Sequence, residues 1–189
     1  MIILVTGGTG TGKDFIVEKL KDKLKAQQLQ RPTTRSQRDI YDMNYDFLTV
    51  NTYSQLDLFH SKIFNDWSYG FYNSVLDQAK SEQIFICSCD VRSAQEVGKK
   101  VVENGGSCVL VYVRADKETR YQRCIGRQAN PDYQEIHRRM KSDDEDNKDV
   151  DLSHFIDFDN SRKNSFFFRV SLNKLVKEIM EDEQWQIQV

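Results

Sequence analysis

Gly7-Gly8-Thr9-Gly10-Thr11-Gly12-Lys13-Asp14 is the strongest structural signal in the sequence. It follows the apolar run Ile2-Ile3-Leu4-Val5, which is typical of a buried strand, and it precedes apolar residues at helical spacing, namely Ile16, Val17, Leu20 and Leu24. Four glycines in six positions allow successive backbone N–H groups to point into one concavity, above the positive end of the helix. The pattern G-x-x-x-x-G-K at such a strand–helix turn predicts a loop that binds nucleotide phosphates.

The residues predicted to hold these phosphates are those of the loop itself: Gly8, Thr9, Gly10, Thr11, Gly12, Lys13 and Asp14. Lys13 supplies a mobile positive charge for the outer phosphates, so it is also a candidate catalytic residue. Asp14 stands where such loops carry a Ser or Thr hydroxyl that contacts Mg²⁺. A carboxylate is also a magnesium ligand, and the alternative is that Asp14 only complements the helix dipole.

Size, charge and cysteine content exclude several classes of protein. The 189 residues suit one domain with a sizeable core, and 27 basic against 29 acidic residues argue against a nucleic-acid polymer as the main partner. No apolar run reaches the length of about 18 residues that suggests a membrane span, and Met1 leads directly into the first strand without a signal peptide. We therefore expect a cytoplasmic protein without a membrane partner, with Cys87, Cys89, Cys108 and Cys124 as reduced, buried thiols.

Apolar runs and helical spacings alternate along the chain. Further strands are predicted at 45–50, 84–89, 109–113 and 155–156. Helices are predicted from the phosphate loop to about Gln28 and around 56–59, 75–79, 94–101, 121–125, 136–146 and 172–180, whereas 65–73 is aromatic and irregular. This alternation predicts an α/β fold with a mainly parallel central sheet that is flanked by helices.

Asp90 ends the second apolar strand of this predicted sheet. Because ligands of such folds lie beyond the carboxyl ends of the strands, Asp90 is expected to meet the phosphate loop there. It is therefore a candidate for holding Mg²⁺ or its waters. The alternative is that Asp90 is the N-cap of the helix that starts at Val91.

A second cluster of polar residues lies at Thr33-Thr34-Arg35-Ser36-Gln37-Arg38. Two arginines three positions apart can clamp a phosphate dianion, and the phenol of Tyr45 can donate to the same phosphate. The alternative for any such pair of arginines is a solvated face. The sequence therefore predicts a second phosphate site, formed by Arg35, Arg38 and Tyr45.

In these motifs the chain resembles the guanylate kinase family of P-loop nucleoside monophosphate kinases. The family's Thr-Thr-Arg-x-x-Arg and Tyr-x-Phe correspond to residues 33–38 and to Tyr45-Asp46-Phe47. Its Glu-Trp, Tyr-Gly-Ser/Thr and Asp-x-Asp elements correspond to Asp66-Trp67, Tyr72-Asn73-Ser74 and Ser88-Cys89-Asp90. The resemblance covers nearly the whole chain in one order. It implies a P-loop kinase fold with a core at about 1–30, 80–122 and 150–189, an acceptor-binding region at about 31–79 and a lid at about 123–149.

The resemblance also implies a reaction, in which ATP with Mg²⁺ phosphorylates GMP or dGMP. Asp66 would read the guanine N1 and N2 edge, Ser74 would reach the O6 side, and Tyr72 would support the acceptor phosphate. Asp90 would lie near the metal and the acceptor, with Asp14 as the second residue near the metal. Ser88 would line the acceptor site where the family places a base-reading Asp, and Asp66 is shorter than the usual Glu. Arg31-Pro32 replaces the small hydroxyl residues that usually precede Thr-Thr-Arg. These departures leave open a wider set of monophosphates, and a compact variant of this kind suits a viral deoxynucleotide kinase.

The family's lid arginines correspond to Arg123, Arg127, Arg138 and Arg139. Such residues place positive charge over the transferred phosphoryl group and exclude water when the lid closes. A surface position is the alternative for Arg123 and Arg138. The acidic run 142–151 is expected to be a solvated face, with one carboxylate orienting lid arginines as the second interpretation.

Two rival functions remain open at this point. One is a kinase for a different small acceptor, and the other is a guanylate kinase-like module that binds peptides and does not catalyse. Such modules typically lose the phosphate loop, whereas residues 7–13 keep it. The sequence leaves monomer and homodimer equally open.

Overall fold

The structure, a computed structural model, describes residues 1–181 except 38, 39, 41, 43, 65, 128, 129, 162 and 163. In chain order its elements are β1 (Ile2–Thr6), α1 (Lys13–Leu24), β2 (Gln27–Gln28), β3 (Pro32–Thr33), β4 (Asp46–Phe47), α2 (Val50–Ser54), β5 (Leu58–Phe64), β6 (Trp67–Tyr72), α3 (Val75–Lys80), β7 (Phe85–Ser88), α4 (Val91–Glu103), β8 (Cys108–Arg114), α5 (Lys117–Ile125), α6 (Tyr133–Asp146), β9 (Ile156–Asp159) and α7 (Ser165–Glu181). No described helix has the length and apolar character needed to cross a membrane.

The central sheet has five parallel strands in the order β2-β7-β1-β8-β9. Its middle strand, β1, is completely buried and pairs with β7 on one side and β8 on the other. The chain therefore winds first to one side of β1 and then to the other, which opens a crevice at the carboxyl end of β1. The predicted α/β class with a mainly parallel sheet and flanking helices is confirmed.

Alternate side chains of β1 enter two separate cores, as the strand repeat of two requires. Ile2 and Leu4 pack in the core that includes α3 and α4, whereas Ile3 and Val5 pack in the core that includes α1 and α7. All four cysteines are buried free thiols. The phosphate loop is thus attached to the most deeply packed strand of the protein.

A second, mixed sheet of four strands in the order β4-β3-β6-β5 corrects three predictions. The predicted strand 45–50 is only β4, because Thr49 caps α2 by accepting a hydrogen bond from the backbone N–H of Thr52. The predicted helix around 56–59 is wrong, since Phe59 lies in β5. The stretch described as irregular contains β6, whose aromatic residues fit strands and whose backbone pairs with β5.

The predicted first helix is also too long. It ends at Leu24, where Lys25 takes a left-handed conformation with φ 54°. Gln27 and Gln28 then pair with β7 as β2, so sheet hydrogen bonds replace the last helical turn.

Truncation of a β8 core residue tests this packing. Leu110 is 1% exposed, so we expect Leu110→Ala to lower the free energy of unfolding by about 2–5 kcal/mol in urea titrations. The matched control is Ile63→Ala, because Ile63 is 73% exposed and should change stability by no more than about 0.5 kcal/mol. Equal losses in the two variants would contradict this placement of the core.

Candidate functional site

The phosphate loop follows a path that only glycine permits at its critical positions. Gly7, Gly10 and Gly12 have φ of 137°, 80° and 88°. A Cβ atom on Gly7 would lie 2.1 Å from the carbonyl oxygen of Val113, and one on Gly10 would lie 2.5 Å from that of Arg120. The loop is thus pressed against β8 and α5, and its backbone is fixed before any ligand arrives.

Arg123 and Asn160 support the loop from behind. Arg123 donates from Nη1 to the carbonyl oxygen of Thr11 at 3.0 Å and from Nη2 to that of Asn160 at 2.7 Å. The amide of Asn160, which is buried, donates to the same Thr11 oxygen at 2.8 Å. In this structure Arg123 therefore braces the loop and does not line the cavity described next. Asn160 gave no signal in the sequence.

A cavity of about 250 Å³ lies between the phosphate loop, the end of β7, the second sheet and α6. It brings together eleven of the predicted site residues, which are Thr9, Gly10, Gly12, Lys13, Asp14, Arg35, Tyr45, Ser88, Asp90, Arg127 and Arg139. Both predicted phosphate sites therefore open into the same space.

The ammonium of Lys13 bends back over its own loop. Its Nζ donates to the carbonyl oxygen of Gly8 at 3.2 Å. Burial lowers the pKa of Lys13, although the nearby carboxylates of Asp14 and Asp143 act against this shift. The positive charge is thus held inside the loop, where a phosphate would meet it.

Asp14 and Ser88 form a hydrogen-bonded pair across the cavity floor. The hydroxyl of Ser88 donates to Oδ1 of Asp14 at 2.8 Å. The resemblance places a hydroxyl at position 14 and a carboxylate at position 88, so the two chemical groups have exchanged positions. One carboxylate and one hydroxyl remain at the junction of α1 and β7, which explains how the chain tolerates both departures together.

Asp90 caps α4 and also lines the cavity, so its two interpretations are compatible. Its Oδ1 accepts hydrogen bonds from the backbone N–H of Ser93 at 3.0 Å and from Lys62 Nζ at 2.9 Å. Burial disfavours the charged form of Asp90, but these two partners hold its pKa below the ordinary value. The carboxylate is therefore ionised and already positioned.

Arg35 is buried, which rules out a solvated face for this arginine. Its Nη2 pairs with Oδ2 of Asp42 at 2.9 Å, and its guanidinium lies over the rings of Tyr45 and Phe47 at 5.3 and 5.2 Å. Asp42 is thus a cavity residue that the sequence analysis missed. Arg38, the predicted second member of the clamp, lies outside the described residues.

Arg31 is a second buried guanidinium that lines the cavity, and it too was missed. It is 3% exposed and donates from Nη2 to the Tyr45 hydroxyl at 2.7 Å and to the carbonyl oxygen of Ser88. The rings of Tyr45 and Phe71 lie on it, each 4.8 Å from the guanidinium carbon. Its position just before β3 was noted only as a departure from the family pattern.

Several predicted residues lie outside this cavity. Asp66 is exposed in the turn between β5 and β6 with φ 64°, Tyr72 donates to Oδ2 of Asp46 at 2.9 Å, and Ser74 is exposed at the start of α3. Gly8, Thr11 and Arg138 also do not line it. The cavity wall on this side is instead aromatic, formed by Phe64, Tyr69 and Phe71. The roles predicted for Asp66, Tyr72 and Ser74 stay predictions.

The two predicted lid arginines of α6, Arg138 and Arg139, share one carboxylate. Glu135 accepts hydrogen bonds from Nε of Arg138 and from Nε of Arg139, each at 2.6 Å. These two bonds lower the pKa of Glu135 to about 2. Arg139 reaches the cavity, whereas Arg138 is exposed on the outer side of the helix.

Asp143 of the acidic run contacts the phosphate loop directly, so a fully solvated run is wrong at this residue. Its Oδ2 accepts a hydrogen bond from the backbone N–H of Thr9 and lies 3.4 Å from Nη2 of Arg120. Arg120 in turn donates from Nε to the carbonyl oxygen of Thr9 at 2.9 Å. A carboxylate of the chain thus accepts a hydrogen bond from one of the N–H groups that the loop would otherwise offer to a phosphate.

The fold is the P-loop kinase fold. The sequence matches no family model and no curated protein. Among solved structures, the chain is similar to a guanylate kinase from Anaplasma phagocytophilum, with a TM-score of 0.63, 13% identity and coverage of 98% of this chain and 88% of that chain. It is also similar to a gluconokinase from Sinorhizobium meliloti, with a TM-score of 0.50, 13% identity and 96% coverage of both chains. At such identities the likeness shows the fold alone.

Removal of the Asp143 carboxylate should free the loop for anions. We expect Asp143→Ala to bind inorganic tripolyphosphate roughly tenfold more tightly than the unmodified protein in calorimetric titrations, since a charged hydrogen bond no longer competes. Asp144→Ala is the control, because Asp144 pairs with Arg120 at 2.9 Å but is largely exposed. Unchanged or weaker binding by Asp143→Ala would show that this carboxylate does not compete with phosphate.

Proposed function

We propose that this protein is an ATP-dependent nucleoside monophosphate kinase that transfers the γ-phosphoryl group to GMP or dGMP. One observation carries the proposal: Lys13 of the phosphate loop and the Arg35–Tyr45 cluster line the same cavity, together with Arg127 and Arg139. A phosphotransferase between two nucleotides requires two adjacent phosphate sites with cationic groups between them.

Phosphoryl transfer needs positioning and charge, and little covalent chemistry from the protein. The backbone N–H groups of residues 8–12 and the ammonium of Lys13 would bind the phosphates of ATP. Arg35 and Tyr45 would hold the acceptor phosphate in line with them. Arg127 and Arg139 would donate to the oxygens that gain negative charge as the phosphoryl group moves. Closure of the lid, residues 123–149, would exclude water that otherwise hydrolyses ATP.

A magnesium ion fits the residues at the cavity floor. Mg²⁺ in such enzymes is held by one or two carboxylates together with phosphate oxygens and water, and it neutralises charge on those oxygens. Asp14 and Asp90 both line the cavity and supply these carboxylates. Asp14 keeps its second oxygen beyond the Ser88 bond, so it is the residue we assign to the metal or to one of its waters.

The base specificity depends on residues that lie outside the cavity. Asp66 and Ser74 would read guanine once the acceptor region, residues 31–79, closes over the base. The hydroxyl of Ser88 donates its proton to Asp14, so it can offer the guanine N1 and N2 edge only a neutral oxygen in place of the family's carboxylate. This favours, as the second candidate, a (deoxy)nucleoside monophosphate kinase with broader base use. The intact phosphate loop argues against a non-catalytic binding module.

A coupled assay of ADP release across GMP, dGMP, AMP, CMP, UMP and dTMP tests the proposal. We expect turnover to be fastest with GMP or dGMP. We expect Lys13→Ala to reduce it by about 100-fold or more, because the ammonium that stabilises the negative charge of the transferred group is lost. Lys23→Ala, on the exposed face of the same helix, is the control. Turnover with no monophosphate would end the kinase proposal, whereas preference for a pyrimidine would remove only the guanine assignment.

The role of Asp14 has its own test. We expect Asp14→Ala to raise the Mg²⁺ concentration that gives half-maximal turnover by roughly tenfold, since a carboxylate near the metal is removed. If Asp14 only complements the helix dipole, the substitution would lower stability slightly and leave the Mg²⁺ dependence unchanged. Glu18→Ala, one turn further along α1 and exposed, is the matched control.

A further inference from the structure

Arg31 carries a positive charge that forms no ion pair with any described residue. Its guanidinium is buried at the wall of the cavity, and its Nε has no hydrogen-bond partner. The groups that contact it are a carbonyl oxygen, a phenol and two aromatic rings, all of them uncharged. The carboxylate of Asp90 attracts it without forming an ion pair with it, and Asp90 is already paired with Lys62. Burial of a cation in such surroundings is costly, because aromatic faces and neutral acceptors only partly replace water.

The neighbouring arginine shows what a balanced site looks like. Arg35 is buried to a similar extent, but it forms an ion pair with Asp42 at 2.9 Å. Asp90, which also lines the cavity, forms an ion pair with Lys62 at 2.9 Å. Within the described part of the chain, none of the ion pairs includes Arg31. A buried cation left without a counter-ion next to a cavity indicates that a ligand supplies the negative charge.

We propose that Arg31 binds the phosphate dianion of the acceptor, as a guanidinium additional to Arg35. This inference rests on the proposed function and names a residue that the family resemblance does not supply, since the family has a small hydroxyl residue before Thr-Thr-Arg. The ring of Tyr45 is close to both guanidinium groups, since its centroid is 4.8 Å from the guanidinium carbon of Arg31 and 5.3 Å from that of Arg35. Arg31, Arg35 and Tyr45 all line the same cavity, so two cations and one hydroxyl are available to one phosphate.

The contacts of Arg31 also connect the two halves of the cavity. Arg31 donates to the carbonyl oxygen of Ser88, and the side chain of Ser88 donates to Asp14 at the start of α1. An acceptor phosphate on Arg31 would thus be positioned relative to the phosphate loop through only two residues. Rigid placement of this kind favours the in-line geometry that transfer requires.

A thermodynamic test separates this role from a structural one. Arg31→Met replaces the cation by an apolar side chain of similar length, and we expect its melting temperature without ligand to stay within about 3 °C of the unmodified protein. We expect its affinity for GMP, AMP, CMP and UMP in calorimetric titrations to fall by the same factor, about 10-fold to 100-fold. Arg169→Met, on the exposed face of α7, is the control and should change neither quantity.

Three results would overturn the assignment. Unchanged affinities would show that Arg31 does not contact the acceptor. A large fall in melting temperature with unchanged affinities would assign Arg31 to folding. Losses that differ more than tenfold between bases would assign it to the base edge. If Arg31→Met does not fold, Arg31→Lys decides between the same outcomes, because it keeps the charge but loses the planar set of donors.

A separate measurement distinguishes failure of this inference from failure of the proposed function. In the Lys13→Ala protein, which weakens the phosphate loop, inorganic phosphate should still raise the melting temperature, and the additional change Arg31→Met should abolish most of that rise. This result supports the anion site on Arg31 even if the unmodified protein phosphorylates no monophosphate. The same rise with and without Arg31 would contradict the inference whether or not the kinase assay succeeds.

Discussion

The close approach of the phosphate loop to β8 and α5 is the constraint on which the site depends. Because a side chain at Gly7 or Gly10 would collide with the carbonyl oxygens of Val113 or Arg120, the backbone has one available path. That path leads from the end of β1 to the start of α1 at Lys13. The parallel sheet then brings the end of β7, with Ser88, to the same edge. The cavity is a consequence of this geometry.

Two carboxylates of the protein occupy positions in the cavity that suit the phosphates of a ligand. Asp143 accepts from the loop at Thr9, and Asp42 pairs with Arg35. These contacts keep cationic and N–H groups satisfied in the structure without ligand, as buried polar groups require. Binding of two phosphorylated nucleotides would exchange internal carboxylates for phosphates. Arg31 differs from this pattern, because its direct contacts are uncharged and none of the ion pairs among the described residues includes it.

The parts of the fold that the sequence predicts are those with a strong local repeat. The buried strands and the helices that cover them show clear periodicity, and the glycine-rich turn has a specific motif. The second sheet was largely missed, because β3 and β4 have two residues each and show no repeat. Contacts between residues far apart in the chain leave no local pattern, so the sequence analysis did not predict them. Asp143 and Thr9 are separated by 134 positions, and the Ser88–Asp14 bond joins residues 74 positions apart.

The central claim is that one cavity holds the phosphates of a donor and of an acceptor nucleotide at the same time. Its most direct test is steady-state inhibition by adenosine and guanosine joined through a five-phosphate chain, which spans both sites in a single molecule. The account predicts competition against ATP and, separately, against the monophosphate, with one inhibitor bound per protein chain. Competition against only one of the two substrates would contradict it.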